Sequence, residues 1–240
     1  MINLCIAFCS LRPKNYDENF NNFRELEYLT CLEQIYRIIP KNFEILICEN
    51  TIDDIDHLND KNLQIFLKNS NTLLTGAKSN IGLSNKGLGE LLMLKNALRS
   101  LDIGKYSYIS YVTARRFYTC PYVFERTNSL KKEALISNPD FLYLDGKFLK
   151  SEKKEMFNDM FFSLATEKMV DYSYFSESFL KKTSFFKFYN KKNKIIGSEQ
   201  ILYKFITLKE IEYEYLDWLG IVRNDWQSNN ELKFNNFHIC

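Results

Sequence analysis

The segment from Asn80 to Arg116 constrains the fold of this chain more than any other part of the sequence. It begins as a polar loop rich in Gly and Asn, continues as an amphipathic helix and ends as a β-rich strand followed by two arginines. A polar loop that begins a helix beside the carboxyl end of a strand is where open α/β sheets bind phosphorylated ligands. The segment therefore predicts a phosphate-binding site within an α/β fold.

The remainder of the chain alternates short apolar runs with segments of helical periodicity. An order of strand, helix, strand, loop, helix and strand is typical of right-handed parallel α/β units. With no internal repeat and no linker rich in Gly, Ser or Pro, one α/β domain is expected, built on a mixed, mostly parallel sheet flanked by helices. The predicted strands are 3–9, 43–48 and 106–112, with a hairpin at 141–149 and an unassigned short element at 63–67; the predicted helices are 22–39, 89–101, 156–166 and 198–207.

Composition restricts the class of protein. A hydrophobic fraction of 45% and an aromatic fraction of 15% supply a core for 240 residues, so disorder is excluded. The net charge of +2 creates no general attraction for nucleic acid, and no nucleic-acid partner is expected. The six cysteines form no CxxC pair and there are only two histidines, which argues against a zinc site.

The sequence carries no pattern of a secretion signal and no window of about 20 apolar residues that a membrane-spanning helix needs. We therefore expect a reduced, cytoplasmic protein. The sequence does not indicate an oligomeric state.

Two common phosphate motifs fail at the loop. The run Gly82 to Gly87 resembles the start of a Walker A loop, but Leu88 and Gly89 stand where Lys and Ser or Thr are required. A dinucleotide fingerprint fails because Met93 falls near the position of its third glycine. Neither a mononucleotide P-loop nor a dinucleotide site is predicted here.

What the loop retains is a set of groups able to face an anion. Asn80, Asn85 and Lys86 precede or begin the helix, together with backbone N–H groups at its start. The alternative is ordinary helix capping by Ser84 or Asn85, with Glu90 in the first turn. Capping and ligand binding are compatible, so both interpretations stay open.

Three polar turns follow one another along the chain: Phe8-Cys9-Ser10 after the first strand, Glu49-Asn50-Thr51 after the second, and the loop from Asn80 to Gly87. Their order resembles the GT-A family of nucleotide-sugar glycosyltransferases, in particular small bacterial capsule and O-antigen enzymes with an N-K-G-x-G-E segment. The resemblance covers residues 1–120 best. It implies that Phe8, Ser10, Glu49 and Asn50 lie near the base and ribose of a nucleotide-sugar donor.

The chain departs from that family where an Asp-x-Asp motif should follow the strand 106–112. Here the sequence is Thr113-Ala114-Arg115-Arg116. Asp-x-Asp holds the divalent cation that neutralises the donor diphosphate, and guanidinium groups can replace that charge through bidentate hydrogen bonds. We therefore predict a site without metal or other cofactor, with Arg115 or Arg116 on the diphosphate. The alternative is that both are ordinary surface charges.

The literal Asp-x-Asp of the sequence, Asp54-Ile-Asp56, occurs too early in the chain for that role. A carboxylate directly before a short turn is a favourable N-cap. We interpret this motif as a cap after the second strand.

The general base that an inverting transfer needs is normally a carboxylate. Glu199, in a short turn before the last predicted helix, is the first candidate, since the resemblance places an acidic residue before a late helix. Asp145 is the second, although Asp-Gly is also a turn signal. For Glu199 the alternative is a favourable charge at a helix start with Ser198 as N-cap.

The segment 179–194 interleaves six lysines with four phenylalanines and a tyrosine and carries no acid. Basic and aromatic residues in this pattern suit an anionic membrane surface or a single-stranded nucleic acid. The balanced charge of the rest of the chain favours the membrane, which would give peripheral association with its inner face. The alternative is a solvated turn flanked by core aromatics.

Taken together, the sequence predicts a nucleotide-binding half at 1–120 and an acceptor-binding half at 121–240. The function expected is transfer of a sugar from a nucleotide-sugar donor to a glycan or lipid-linked acceptor. The alternatives are a sugar nucleotidyltransferase, for which Ser10-Leu-Arg-Pro-Lys is a poor basic loop, and a non-catalytic nucleotide-sugar or membrane-binding protein of the same fold.

Overall fold

The computed structural model describes residues 2–14, 16–75, 86–137, 142–144, 147–149, 157–186, 198–216, 218–224 and 234–235. Its strands are β1 (Ile2–Cys9), β2 (Phe43–Glu49), β3 (Thr72–Leu74), β4 (Tyr106–Thr113), β5 (Phe117–Tyr118), β6 (Ala134–Ser137), β7 (Leu142–Leu144), β8 (Lys147–Leu149), β9 (Asn158–Ala165), β10 (Tyr213–Leu216), β11 (Ile221–Asn224) and β12 (Phe234–Asn235). Its α-helices are α1 (Glu18–Ile38), α2 (Lys61–Lys68), α3 (Lys86–Ser100), α4 (Tyr122–Asn128), α5 (Thr166–Phe186) and α6 (Ser198–Leu208).

Seven strands form the main sheet in the order β3-β2-β1-β4-β9-β6-β10. Neighbouring strands are parallel except at β9, which is antiparallel to both β4 and β6. The carboxyl ends of the other six strands therefore lie at one edge of the sheet, together with the amino end of β9. Strands from both halves of the chain contribute to this sheet.

Helices cover both faces of the sheet. On one face α3, α5 and α6 pack over apolar side chains that include Leu4, Ile6 and Phe8 of β1. On the other face α1, α2 and α4 pack over the alternate residues of the same strands. This alternation buries β1 on both sides, which is why its sequence is a nearly continuous apolar run. The expected sheet flanked by helices is confirmed.

Most of the predicted elements are present. The strands expected at 3–9, 43–48 and 106–112 and the helices expected at 22–39, 89–101 and 198–207 correspond to β1, β2, β4, α1, α3 and α6. Helix α1 begins four residues before its expected start because Asp17 caps it, accepting a hydrogen bond from the Phe20 N–H at 2.8 Å. The unassigned element at 63–67 lies within α2. Strands β7 and β8 form the expected hairpin.

One prediction is wrong. The segment 156–166, expected to be helical, contains the central strand β9, and α5 follows it. Phe161 and Phe162 are both buried but pack against opposite faces of the sheet. A strand covered on both faces has no polar side to alternate with, so its sequence is hard to distinguish from a buried helix.

Two smaller predictions have clear outcomes. Asp54 accepts a hydrogen bond from the Asp56 N–H at 2.9 Å and caps a short 3₁₀ helix, as expected of that motif. Among the described residues, no helix combines the length and the apolar character needed to cross a bilayer.

Candidate nucleotide site at the carboxyl edge of the sheet

The polar turns singled out in the sequence meet at the carboxyl edge of the sheet. Cys9 pairs with Glu49, the last residue of β2, so Ser10 and Asn50 follow two neighbouring strands at the same level. On the other side of β1, Phe8 pairs with Thr113, the last residue of β4. The loops after β1, β2 and β4 are therefore adjacent, which is the arrangement that binds ligands in open α/β sheets.

The loop after β1 is held by side chains of α1. The Tyr28 hydroxyl accepts a hydrogen bond from the Ser10 N–H at 3.1 Å, and Arg24 Nε donates to the Ser10 carbonyl at 3.0 Å. The hydroxyl of Ser10 donates to Asn50 Oδ1 at 3.1 Å. With its oxygen so engaged, the Asn50 amide presents its NH₂ group as a donor. The two partly exposed side chains form a fixed polar pair at the edge.

Glu49 connects three loops from inside the protein. Its side chain is fully buried and accepts hydrogen bonds from the Leu11 N–H at 3.0 Å and from both the N–H and the hydroxyl of Thr51. Its carbonyl accepts from the Thr75 N–H at 2.8 Å, just after β3. Because both oxygens of Glu49 already accept hydrogen bonds, this side chain holds the loops in place. Direct contact with a ligand is left to the side chains of Ser10 and Asn50.

Burial raises the pKa of Glu49 despite the hydrogen bonds from Thr51 and Leu11, which lower it. A raised pKa means that the folded protein binds the proton more tightly than the unfolded chain, so this group's contribution to stability falls as pH rises through the folded-state pKa. Replacing Glu49 with glutamine removes this dependence. We expect the loss of unfolding free energy in Glu49→Gln to be larger near pH 5 than near pH 8, as measured by urea denaturation.

Glu44, at the opposite end of β2, provides a control of opposite sign. Hydrogen bonds from Lys105 and Tyr106 lower the pKa of this exposed carboxylate. Its contribution is present above the ordinary pKa and is lost as pH falls. Glu44→Gln should therefore lower the free energy of unfolding more near neutral pH than in acid. The same pH dependence of this loss in Glu44→Gln and Glu49→Gln would contradict both assignments.

Phe8 occupies the core rather than the ligand side of the edge. Its ring is 2% exposed and stacks on Tyr111 at 4.4 Å between centroids. Its carbonyl accepts a hydrogen bond from the Ala114 N–H at 3.1 Å, which fixes the turn after β4 to β1. The ring of Phe8 thus packs in the core beneath the candidate site. That a nucleotide lies near Phe8 and its neighbours stays a prediction.

The two arginines after β4 differ in burial. Both lie near α1: burial raises the pKa of the Cys31 thiol, Glu27 raises it further, and the charges of Arg116 and Arg115 lower it. Arg116 is 7% exposed, whereas Arg115 is only partly buried and its charge also acts on the Tyr28 hydroxyl that holds the loop after β1. Arg115 is therefore the arginine that a ligand at the edge can reach.

The turn after β4 does not fit a divalent cation. Thr113, Ala114 and the two arginines offer no carboxylate there, and hard cations such as Mg²⁺ need oxygen ligands. In the part of the chain that the structure describes, no three His, Cys, Asp or Glu residues are grouped closely enough to hold a metal ion. Any neutralisation of a diphosphate at this turn would come from the guanidinium groups.

The far side of the edge carries the start of α6. Glu199, the second residue of that helix, is partly exposed, and its carbonyl accepts a hydrogen bond from the Phe157 N–H at 3.2 Å. Ser198, which is buried, donates to Asp159 at the beginning of β9. Two carboxylates, Asp159 and Glu199, thus lie where β9 and α6 meet.

Several predicted site residues lie outside the described part of the chain. These are Asn80 and Asn85 in the loop before α3 and Asp145 between β7 and β8. Lys86 is the first residue of α3. Of the basic and aromatic segment 179–194, residues 179–186 belong to α5 and the rest lies outside the described residues.

Sequence reasoning missed the residues that hold the site in place. Arg24 and Tyr28 lie on α1 at helical spacing with the core residues, and nothing in their pattern distinguishes them from surface or core positions. Asp159 was hidden by the incorrect helix at 156–166. Had that segment been recognised as a strand, an acid at its exposed end would have been a candidate.

Comparisons with solved structures identify the fold. The chain superposes on a 4-diphosphocytidyl-2C-methyl-D-erythritol synthase from Anaerococcus prevotii with a TM-score of 0.51 and 14% identity, covering 92% of this chain and 89% of that one. It superposes on mouse xyloside xylosyltransferase 1 with a TM-score of 0.51 and 11% identity, covering 90% and 85%.

A protein described as a nucleotide-diphospho-sugar transferase from Desulfovibrio desulfuricans gives a TM-score of 0.50 and 12% identity, covering 90% of this chain and 80% of that one. No protein-family model matches the chain, and no curated protein matches it in sequence. The likeness therefore concerns the fold alone: the chain shares the Rossmann-like fold of these three proteins.

Proposed function

We propose that this protein is a glycosyltransferase that moves a sugar from a nucleotide-sugar donor to a glycan or lipid-linked acceptor without a metal bound at an Asp-x-Asp motif. The observation that carries the proposal is the fixed Ser10–Asn50 pair, with Arg115 in the neighbouring turn after β4, at the carboxyl edge of a fold shared with nucleotide-sugar transferases. Hydrogen-bonding groups for a nucleoside and a cation for a diphosphate are adjacent there.

In this proposal the nucleoside lies over the ends of β1 and β2. The NH₂ group of Asn50 donates to a base carbonyl or a ribose oxygen, and Ser10 holds the amide in that orientation. Arg115 neutralises the diphosphate, supported by Lys86 and the helix start that follows the loop at 80–85. The sugar then projects toward β9 and the start of α6, where the acceptor binds.

A sugar nucleotidyltransferase is the second candidate, because one similar structure is a 4-diphosphocytidyl-2C-methyl-D-erythritol synthase. That chemistry needs free cationic groups after β1 to bind a nucleoside triphosphate. The two basic residues of that loop are Arg12 and Lys14. Arg12 forms ion pairs with Glu18 and Glu25, so Lys14 is the cation that remains for a triphosphate. A single lysine is a weak triphosphate site, which favours sugar transfer over nucleotidyl transfer.

The proposal is tested with the intact chain by thermal shift against UDP-, GDP- and dTDP-sugars, each with Mn²⁺ or EDTA. A shift of Tm with at least one nucleotide sugar, unchanged by EDTA, is expected. The absence of a shift with all of them would refute the transferase, and a shift abolished by EDTA would refute the metal-independent site. Pyrophosphate release from a nucleoside triphosphate and a sugar 1-phosphate would identify the nucleotidyltransferase instead. Binding of a nucleotide sugar without turnover would identify the non-catalytic alternative.

Arg115→Ala should weaken nucleotide-sugar binding by about 10- to 100-fold, because a hydrogen-bonded charge pair with phosphate is worth about 1.5–3 kcal/mol. Isothermal titration with the nucleotide sugar that gives the largest thermal shift measures this Kd. Arg99→Ala is the matched control, since Arg99 is exposed near the end of α3, at the opposite edge of the sheet. Equal affinities for the two variants would place the diphosphate elsewhere.

A further inference from the structure

An irregularity in β9 lies next to the proposed site. Ile136 of β6 pairs with Phe162, but the next residue of β6, Ser137, pairs with Asn158. Relative to β6, residues 159–161 therefore form a bulge in β9, at the end of the strand that reaches the carboxyl edge. Bulges of this kind redirect a side chain that a regular strand would send to the other face.

The bulge directs Asp159 toward α6. Asp159 Oδ2 accepts a hydrogen bond from the hydroxyl of Ser198, the first residue of that helix. The amino end of a helix carries partial positive charge and interacts favourably with a carboxylate. A carboxylate is a common general base in enzymes. Asp159 is thus a carboxylate held in a fixed position beside the start of α6.

Asp159 is also next to the turn that carries Arg115. Val112 of β4 pairs with Phe161 of β9, and β9 runs in the opposite direction. The residues of β9 that precede Phe161 therefore continue in the direction of the end of β4 and its turn. The expected positions of the diphosphate and of Asp159 are neighbours along the edge.

We propose that Asp159 is the general base of the sugar transfer, a role that the sequence offered to Glu199 or Asp145; the inference rests on the proposed function. The acceptor hydroxyl gives its proton to Asp159 as its oxygen bonds to the anomeric carbon of the donor. The bond between that carbon and the β-phosphate oxygen breaks, and its electron pair leaves with the nucleoside diphosphate. Glu199, beside it on α6, contacts the acceptor.

Two tyrosines face Asp159, Tyr111 on β4 and Tyr172 on α5, since its charge acts on both phenols. Glu90 on α3 acts on both tyrosines as well, and Glu199 on α6 acts on Tyr172. Tyr111 donates a hydrogen bond to Glu90 at 2.7 Å. Burial raises the pKa of both tyrosines, and Asp159 adds to the shift in each, so the phenols stay neutral at working pH. Asp159 therefore faces two uncharged hydroxyls.

Asp159→Asn tests the proposal, because asparagine keeps the oxygen that accepts from Ser198 and loses only the basicity. Nucleoside diphosphate released from the tightest-binding nucleotide sugar, with water as acceptor, is the measurement. We expect kcat to fall by about 100- to 10,000-fold, the usual contribution of a general base, with Kd and Tm unchanged. Asp102→Asn, at an exposed position before the opposite end of β4, is the control and should behave as wild type.

Turnover of Asp159→Asn within tenfold of wild type would overturn the proposal, and so would a larger loss of turnover in Glu199→Gln. If Asp159→Asn does not fold, Ser198→Ala decides. Without that hydrogen bond the carboxylate is no longer fixed beside α6, so kcat should fall while Kd stays unchanged, whereas a purely structural carboxylate leaves kcat unmoved. Wild-type protein that binds no nucleotide sugar, or that binds one without releasing nucleoside diphosphate, would instead refute the proposed function.

Discussion

Replacement of Glu25 by alanine is expected to lower the free energy of unfolding by about 3–5 kcal/mol, the cost of breaking a buried ion pair by removing one partner. Glu25 is fully buried on α1. One of its oxygens binds the guanidinium of Arg12, and the other accepts the N–H groups of Asn59 at 2.8 Å and Asp60 at 2.7 Å. The substitution leaves a cation and two backbone donors without this acceptor.

Urea denaturation of the variant measures the loss. Glu18→Ala is the matched control, since Glu18 binds the same guanidinium, but its side chain is 58% exposed and solvent screens the interaction. Glu25→Gln retains an oxygen for the two N–H groups and should lose less than Glu25→Ala. Equal losses in Glu25→Ala and Glu18→Ala would show that the junction between the loop after β1 and the start of α2 does not depend on the buried carboxylate.

The sequence predicts most of this fold because its helices are amphipathic and its strands are bounded by polar turns. The apolar run of β1 and the helix that ends before Pro40 follow from periodicity and from the stereochemistry of proline. β9 could not be assigned the same way, since burial on both faces removes the period of two on which strand assignment depends. Helix α5, which follows β9, was therefore not predicted either.

The candidate site was predictable at the level of strand ends and no further. Parallel strands bring their carboxyl ends to one edge, so Ser10, Asn50 and Arg115 converge by topology alone. Burial is not visible in such an argument. Glu49 and Phe8 lie at the same strand ends as Asn50 and Ser10, yet packing buries the side chains of both. Only their contacts with residues distant in sequence reveal this burial.

Phe162→Ala should destabilise the protein by about 3–5 kcal/mol, the usual cost of removing a buried phenylalanine ring, and lower Tm by about 10 °C for a chain of this size. The ring is 1% exposed, stacks on Tyr111 at 4.7 Å between centroids and meets Tyr172 edge-on at 5.6 Å. Its loss leaves a cavity between the sheet and α5. Calorimetry or urea denaturation measures the change, and Tyr174→Ala, at a 59% exposed ring on α5, is the control.

The same measurement on the adjacent residue tests the strand assignment. Phe161 is fully buried in the core on the opposite face of the sheet, where its ring lies 5.8 Å from that of Phe124 and 6.4 Å from that of Tyr118, between centroids. Successive residues of a strand covered on both faces are both buried, so Phe161→Ala should cost as much as Phe162→Ala. In an amphipathic surface helix only one stripe is buried, and successive residues point about 100° apart. A helix at this position would therefore lose little stability on substitution of one of the two phenylalanines. A small loss at either position would favour the helix over β9, and with it would remove the bulge that directs Asp159 toward α6.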